Sequence, residues 1–214
     1  MVKPLLTIGI ISIQGAISEH NHIMQNTFKK NNNSGIVKPI KYKEDLEEID
    51  GLIIPGGEST TISRFIKNND LHDLIIKKNK SENLPIMGTC AGCVLLAKKI
   101  IDDDKDIQTL GLLDISVERN AFGRQKQSFE KNLQIKGFTS DYNAVFIRAP
   151  VIKTVKNNCE ILSKIDDKIV MVEQKNVLGL SFHPELTDDL RIHNRFLKNV
   201  KKEKNKKWIL FFFF

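Results

Sequence analysis

Short hydrophobic runs alternate with longer amphipathic stretches along the first half of this 214-residue chain. The runs have the length and the apolar content that are typical of strands buried inside a sheet. They are "LLTIGIISI" (5–13), "SGIVKPIKY" (34–42), "GLIIPGG" (51–57) and "LPIM" (84–87). The segments with helical periodicity are "GAISEHNHIMQNTFKK" (15–30), "TTISRFIKNNDLHDLIIKK" (60–78), where Asn68-Asn69 predicts a break, and Gly92–Lys99.

The pattern changes from about Leu110 onward, where strand-like pieces follow one another before a last helix, predicted from about Asp188 to Lys202. These pieces are "LLDISVERN", "LQIKGF", "AVFIRAP", "CEILSKI", "KIVMVEQ" and "VLGLSFHPE". Strands that alternate with helices predict an α/β fold with three layers, a doubly wound and mostly parallel sheet with helices on both faces. The Lys- and Asn-rich stretches "KKNNNSG" (29–35) and "KKNKSEN" (77–83) predict surface loops.

The composition favours one globular domain in a reducing compartment. With 41% hydrophobic residues the chain can bury a substantial core, and we expect a single domain over residues 1–204 and a tail of unknown role over 205–214. Three cysteines are too few, and odd in number, for a secreted disulfide framework. The apolar start lacks the basic region and cleavage site of a signal peptide, and no stretch approaches the roughly 18 apolar residues of a membrane span. A cytoplasmic location without membrane contact is therefore expected.

The net charge of +7 comes mostly from one end of the chain. Residues 198–207 hold six lysines and one glutamate, which leaves only +2 for the rest. The solvated end of a terminal helix explains this cluster, and no basic stripe interleaved with aromatic residues indicates nucleic-acid binding. We therefore expect no nucleic-acid partner.

The stretch "GTCAG" (88–92) places Cys90 between two glycines, where a predicted strand meets a predicted helix. The glycines allow a sharp turn from which the side chain projects at the carboxyl edge of the sheet. The N-terminus of a helix also favours a thiolate over a thiol. Cys90 is therefore a candidate nucleophile, although a buried structural cysteine explains this motif equally well when it is taken alone.

Among the five histidines, His183 is the candidate base for such a nucleophile. It lies in "SFHPE" (181–185), directly after an apolar strand, and Glu185 is within side-chain reach of its imidazole. Packing or solvent-exposed roles are expected for the other histidines, His20, His22, His72 and His193. A third strand-end motif, "PGGEST" (55–60), can bring a backbone N–H close to a ligand. Together the three motifs indicate nucleophilic catalysis by cysteine, histidine and glutamate.

The order of "PGGEST", "GTCAG" and "SFHPE" resembles the triad-type (class I) glutamine amidotransferases, whose fold is flavodoxin-like. Within this class, "GIISIQGAISEH", "GLLDISVERNAFGRQ", "FIRAP" and "LGLSFHPELT" are similar to the glutaminase subunit of the pyridoxal 5′-phosphate synthase. The resemblance covers about residues 5–200. It departs from the family in the loops near 29–40 and 77–83, in the tail after about Lys204, and at Cys93, where an aliphatic residue is more usual.

The resemblance implies hydrolysis of L-glutamine to glutamate and ammonia through a thioester on Cys90. His183 would be the base, Glu185 would orient it, and the N–H groups of Gly57 and Ala91 would form the oxyanion hole. The residues implied to bind glutamine are Gly57, Glu58, Ser59, Arg119, Ile147 and Arg148. The segment Gln14, Gly15 and Ala16 would complete the oxyanion hole when a partner docks.

The partner implied by the resemblance is a barrel-shaped synthase subunit in a hetero-oligomer, which receives the ammonia and makes pyridoxal 5′-phosphate. Neither a metal nor a cofactor is expected, since one cysteine pair without a second ligand pair does not close a zinc tetrahedron. Two alternatives stay open. In one, the glutaminase serves another synthase, of histidine or nucleotide biosynthesis. In the other, "CAGC" (90–93) is a redox Cys-x-x-Cys, which leaves "PGGEST" and "SFHPE" without a purpose and lacks the tryptophan usual before such a motif.

Overall fold

The computed structural model describes residues 5–101, 106–122 and 128–212, with side chains as far as Trp208. Residues 123–125 of the "GLLDISVERNAFGRQ" motif and the last two residues of the predicted tail lie outside the described residues. The strands are β1 (Leu6–Ile11), β2 (Gly35–Ile40), β3 (Gly51–Ile54), β4 (Ile86–Thr89), β5 (Ala97–Ile100), β6 (Leu113–Glu118), β7 (Ser128–Leu133), β8 (Tyr142–Ile147), β9 (Val151–Val155), β10 (Glu160–Ile165), β11 (Lys168–Gln174) and β12 (Val177–Leu180). The helices are α1 (Ile17–Lys30), α2 (Ser59–Asn68), α3 (Leu71–Glu82), α4 (Ala91–Leu96) and α5 (Arg191–Phe212), with short 3₁₀ helices at Lys43–Leu46 and Pro184–Leu186.

Parallel strands form one half of the main sheet, in the order β2-β1-β3-β4-β12. This begins with the strand order of flavodoxin-like folds. The sheet continues through β11, β9, β6 and β5, and the pairs from β12 to β6 are antiparallel. β10 pairs with β11, and β7 and β8 form a separate antiparallel hairpin. The predicted doubly wound α/β fold is confirmed.

Helices cover both faces of the sheet, as the alternation of strands and helices predicted. On one face α1, α5 and the β7–β8 hairpin share a core that includes Met24, Phe146 and Phe196. On the other face α2, α3 and α4 pack through residues such as Ile62 and Ile75. β3, β4 and β12 are buried along their whole length. A parallel strand between two helical layers has no face in water, which explains their uninterrupted apolar sequences.

The carboxyl ends of β1, β3, β4 and β12 meet at one edge of the sheet. Ile54 of β3 pairs with Gly88 of β4, and Thr89 of β4 pairs with Leu180 of β12, so these strands end at the same level. The residues that follow each strand are the predicted motifs. The strand order reverses between β1 and β3, and in such sheets this reversal opens a crevice at the carboxyl edge.

The helix predicted at Gly92–Lys99 is wrong in its last three residues. α4 ends at Leu96, because the backbone of Ala97 is extended, with a φ of −64° and a ψ of 153°. From Ala97 the chain joins β6 as the parallel edge strand β5. The N–H of Leu112 donates to the carbonyl oxygen of Leu96, so a distant segment replaces the next turn of helix.

The predicted loop at 77–83 is also wrong for most of its length. α3 continues to Glu82, where the Lys78 side chain lies 3.4 Å from the Glu82 carboxylate, one turn away. The predicted break at Asn68-Asn69 is confirmed, since α2 ends at Asn68 and Asp70 has a φ of 56°. The loop at 29–35 is confirmed in part: α1 ends at Lys30 and β2 begins at Gly35.

The strand-rich half differs from its predictions in several places. "LQIKGF" (133–138) is not a strand, because β7 ends at Leu133 and the chain then turns. Neither β7 nor β9 was predicted. α5 extends past the predicted end at Lys202 to Phe212, and the Lys204 ammonium contacts the Asp50 carboxylate at 2.6 Å. The division into a domain over residues 1–204 and a tail over 205–214 stays a prediction.

In the described part of the chain, no helix combines the length and the apolar character needed to cross a membrane.

Gly92 lets α4 lie directly against β3, and we expect Gly92→Ala to destabilise the fold. A Cβ at this position would be 2.0 Å from the carbonyl oxygen of Ile54, a backbone atom that cannot rotate away. The expected loss in the free energy of unfolding is about 3 kcal/mol, measured by urea denaturation. Gly111→Ala is the matched control, because nothing lies within 4 Å of its Cβ position, although φ is +61°. It should lose only about 1 kcal/mol, and equal losses would contradict the steric explanation.

Candidate active site

Cys90 occupies the turn between β4 and α4. Its backbone has a φ of 49° and a ψ of −105°, a conformation that residues other than glycine rarely adopt. Its N–H donates to the carbonyl oxygen of Leu180 at 2.8 Å, which anchors the turn to β12. The residue is 8% exposed, and its thiol lies 3.7 Å from the carbonyl oxygen of Ile147. This is the strained elbow that the glycines of "GTCAG" predicted.

His183 and Glu185 follow β12, next to the Cys90 turn. The backbone N–H of His183 donates to the carbonyl oxygen of Val145, and the ring Nδ1 lies 2.7 Å from Glu185 Oε1. The His183 imidazole and the Cys90 side chain line the same cavity. A Cβ on Gly56 would lie 2.4 Å from His183 Cε1 and 3.3 Å from Cys90 Cβ, so the "PGG" turn packs directly on both side chains. The structure therefore brings cysteine, histidine and glutamate together.

The electrostatics of this buried group favour a protonated His183. Burial opposes the positive charge, but hydrogen bonds to Cys90 and Glu185 and the negative charge of both outweigh it, and raise the pKa of His183 to about 10. Burial also disfavours a charged Glu185, yet the hydrogen bond to His183 and the positive charge of His183 hold the pKa of Glu185 below its ordinary value. The carboxylate and the imidazolium thus stabilise each other, and the imidazolium faces Cys90.

A cavity of about 330 Å³ opens beside Cys90 and His183. All residues that the resemblance assigned to glutamine binding or to the oxyanion hole line it, namely Gly57, Glu58, Ser59, Ala91, Arg119, Ile147 and Arg148. Their roles in binding stay predictions. Val94, Asn120 and Pro150 also line the cavity and were not predicted. Asn120 and Arg148 have φ values of 50° and 44°, so the backbone is held in uncommon conformations at several points around the cavity.

The segment Gln14–Ala16 packs against the "PGG" turn. Gln14 Nε2 donates to the carbonyl oxygen of Glu58 at 3.3 Å. Gly15 has a φ of 97°, and a Cβ there would lie 1.8 Å from the carbonyl oxygen of Gly56. Because the two backbones touch, a displacement of this segment would also displace the turn that carries Gly57.

A family model described as the SNO glutamine amidotransferase family matches residues 10–202. The chain belongs to this amidotransferase family. It is 46% identical over 198 residues to the pyridoxal 5′-phosphate synthase subunit PdxT of Thermosipho africanus, which covers 92% of this chain and 100% of the relative. The PdxT subunit of Methanococcoides burtonii is 47% identical over 200 residues, 91% of this chain and 99% of the relative. A crystal structure of a glutamine amidotransferase matches with a TM-score of 0.81 and 40% identity, over 91% of this chain and 98% of that one.

The predicted family and enzyme class of this amidotransferase are confirmed: it is a glutaminase of the SNO family. A group of buried polar residues behind the triad was not predicted from the sequence. His20 and His193 are fully buried, their rings hydrogen-bond each other, and His20 also contacts Thr89 and Glu185. The sequence contained no signal for them, because a histidine on the inner face of a helix is as typical of packing as of catalysis.

Cys93 packs against β12 in this amidotransferase. A Cβ on Gly179 of β12 would lie 3.2 Å from its Sγ, so the thiol fills space between α4 and the sheet. It is fully buried, and burial raises the pKa of its thiol. Cys90, Cys93 and Cys159 are all free. The redox interpretation of "CAGC" is not supported.

Proposed function

We propose that this chain is the glutaminase subunit of a pyridoxal 5′-phosphate synthase, and that it passes ammonia from L-glutamine to a synthase subunit. The observation that carries the proposal is the contact of Cys90, His183 and Glu185 at adjacent strand ends, beside a cavity with two arginines. The choice of this synthase over those of histidine or nucleotide biosynthesis is supported by relatives that match this chain over almost their whole length.

The first half of the proposed reaction forms a thioester. The thiolate of Cys90 attacks the side-chain amide carbon of glutamine, and the carbonyl oxygen becomes an oxyanion that the N–H groups of Gly57 and Ala91 stabilise. His183 gives its proton to the amide nitrogen, the C–N bond breaks, and ammonia leaves. Glu185 accepts the Nδ1–H of His183, with 2.7 Å between Nδ1 and Oε1, so that the other ring nitrogen faces Cys90 and the substrate.

The second half releases glutamate. The neutral His183 takes a proton from a water molecule, which attacks the thioester carbon, and the C–S bond then breaks. Cys90 leaves as a thiolate beside a protonated His183, which restores the starting state. The raised pKa of His183 suits both steps, because the protonated form is stable whenever the thiolate is present.

The lining of the cavity matches the two charged groups of glutamine. The guanidinium groups of Arg119 and Arg148 suit the α-carboxylate through paired, parallel N–H donors. Glu58 supplies the opposite charge for the α-ammonium group, and Ile147 provides an apolar wall for the methylenes. A substrate that lacks either charged group should therefore bind poorly.

The synthase subunit is proposed to dock at the carboxyl edge of the sheet. Ile13, Leu186 and Ile147, which are adjacent to or part of the site, are 44%, 41% and 38% exposed. Covering them would bury apolar area next to Gln14–Ala16 and would close the cavity against water. Ammonia would then reach the synthase without escaping into solvent, where protonation makes it unreactive.

Docking is expected to activate the glutaminase. The isolated chain should hydrolyse glutamine slowly, and the synthase subunit should raise kcat by about 10-fold or more, measured as glutamate release with and without the synthase. Because coupling between two binding events is reciprocal, glutamine should tighten the complex. Calorimetry with the Cys90→Ala variant, which cannot turn over, measures this directly. Full activity of the isolated chain together with equal affinities would contradict the proposal.

Two exposed isoleucines provide a matched pair for the docking surface. Ile13→Asp should weaken the complex and its activation, because Ile13 directly precedes Gln14. Ile36→Asp should change neither the affinity of the complex nor its activation, since Ile36 is 46% exposed on β2, away from the cavity.

An ammonia-transfer assay with different synthases tests the choice of pathway. Transfer of ammonia to a histidine- or nucleotide-pathway synthase, and none to the pyridoxal 5′-phosphate synthase, would favour the alternative pathway.

A further inference from the structure

A line of buried polar side chains continues from the triad into the protein. The ring of His20, which lies in the first turns of α1, is fully buried. Its Nε2 is 3.4 Å from Glu185 Oε2 and 3.1 Å from the hydroxyl of Thr89, the residue before the nucleophile. Its Nδ1 is 3.3 Å from Nε2 of His193 in α5. The proposed reaction uses none of these three side chains.

Both histidines are held in the neutral form. Burial lowers the pKa of His20, and this outweighs the charges of Glu185 and Glu19, which favour protonation, while the charge of His183 opposes it. Burial, and then His20, lower the pKa of His193 well below its ordinary value. A neutral imidazole carries one N–H, so the function of His20 depends on which of its nitrogens bears that hydrogen.

Two buried polar atoms without partners favour one tautomer of His20. Among the described residues, Glu185 Oε2 and His193 Nδ1 are buried without a hydrogen-bond partner. If His20 carries its hydrogen on Nε2, that N–H faces the carboxylate oxygen and the Thr89 hydroxyl, and Nδ1 accepts from His193. The other tautomer would point a lone pair at the carboxylate and would leave the His193 Nδ1–H buried and unpaired, which is costly.

We infer that His20, as the Nε2–H tautomer fixed by His193, is a positioning residue that holds Glu185 from behind and thereby orients His183. This inference rests on the proposed function. The Thr89 hydroxyl extends the link, because it also accepts the backbone N–H of Gly56 at 3.1 Å. His20, the Thr89 hydroxyl and the backbone N–H of Gly56 therefore form one buried hydrogen-bonded group, and Oε2 of Glu185 lies 3.4 Å from Nε2 of His20 at its edge.

The same residue connects the site to the Gln14–Ala16 segment. The backbone N–H of His20 donates to the carbonyl oxygen of Ala16 at 3.1 Å, in the first turn of α1. A displacement of the segment on docking would thus be transmitted through α1 to the Glu185 carboxylate. His20 therefore links the proposed docking segment to the triad.

Three substitutions at His20 distinguish a role in positioning Glu185 from a role in packing alone. Glutamine can present an N–H near the position of Nε2, asparagine is too short to reach Glu185, and leucine has no donor. His20→Gln should keep kcat within about 3-fold of the unsubstituted protein, while His20→Asn and His20→Leu should lower it by about 10- to 100-fold with KM unchanged. His22→Leu is the control, because His22 lies on the exposed face of the same helix.

Two further measurements do not depend on glutamine. Alkylation of Cys90 by iodoacetamide at neutral pH should be about 10-fold slower in the Asn and Leu variants, and unchanged in the Gln variant. Nitrogen-15 chemical shifts of the unsubstituted protein should show His20 protonated on Nε2. If the unsubstituted protein does not hydrolyse glutamine, the proposed function is refuted but the inference about His20 is not. The alkylation rate and the tautomer still test the inference in that case.

Three results would overturn the inference. They are unchanged kcat and alkylation in the Asn and Leu variants, a Gln variant no better than the Leu variant, and an Nδ1–H tautomer for His20. If His20→Leu fails to fold, the Gln and Asn pair and the tautomer measurement decide the question.

Discussion

Cys90→Ala is expected to abolish glutamine hydrolysis, with a fall in kcat of about 10⁶-fold. The thioester cannot form without the sulfur. No other cysteine can replace Cys90, because Cys93 packs against β12 and Cys159 directly precedes β10. The fold should survive, since alanine keeps the backbone and removes one atom from a site that borders a cavity. Glutamate release, measured with the synthase subunit present, tests this expectation.

His183→Asn should cost as much as Cys90→Ala, and the double variant should be no worse than either, because the nucleophile and its base act as a unit. Cys159→Ala is the matched control, since it removes a buried cysteine outside the site and should retain activity. Ammonia release by Cys90→Ala at the rate of the unsubstituted protein would show that another residue is the nucleophile.

Glu185→Gln is expected to lower kcat by about 10³- to 10⁴-fold without unfolding the protein. The carboxylate holds Nδ1–H of His183 at 2.7 Å, and an amide in its place can present an N–H that imposes the wrong tautomer. Without the negative charge of Glu185, one of the causes that raise the pKa of His183 to about 10 is lost, so the pKa of His183 should fall. Steady-state kinetics and an NMR titration of His183 measure the two effects.

Glu173→Gln is the control for the loss of a partly buried carboxylate. Glu173 is paired with Arg195 and Asn199 away from the cavity, so its substitution should change stability and leave kcat unchanged. A Glu185→Gln variant with full kcat, or a His183 pKa that does not fall, would show that the carboxylate does not orient the base.

The spatial grouping of Cys90, His183 and Glu185 could be predicted from sequence because each residue belongs to a short local motif. Cys90 stands between glycines after an apolar strand, His183 and Glu185 follow another, and "PGGEST" follows a third. Parallel strands present their carboxyl ends at one edge, so a prediction of sheet type was enough to bring the three motifs together. The lining of the cavity was reached through the family resemblance, since Arg119 and Arg148 have no local pattern that distinguishes them from surface arginines.

The sequence by itself therefore determined the α/β class and the three strand-end motifs that hold the candidate triad, because apolar runs and glycine turns act over a few residues. Only the tertiary structure decided the end of α4 at Leu96, where pairing of β5 with β6 competes with the helix. It also decided the contact of His20 with Glu185 and His193, which depends on how α1 and α5 pack on one face of the sheet. Such contacts join residues far apart in the chain, and their energy comes from burial and pairing that no local pattern encodes.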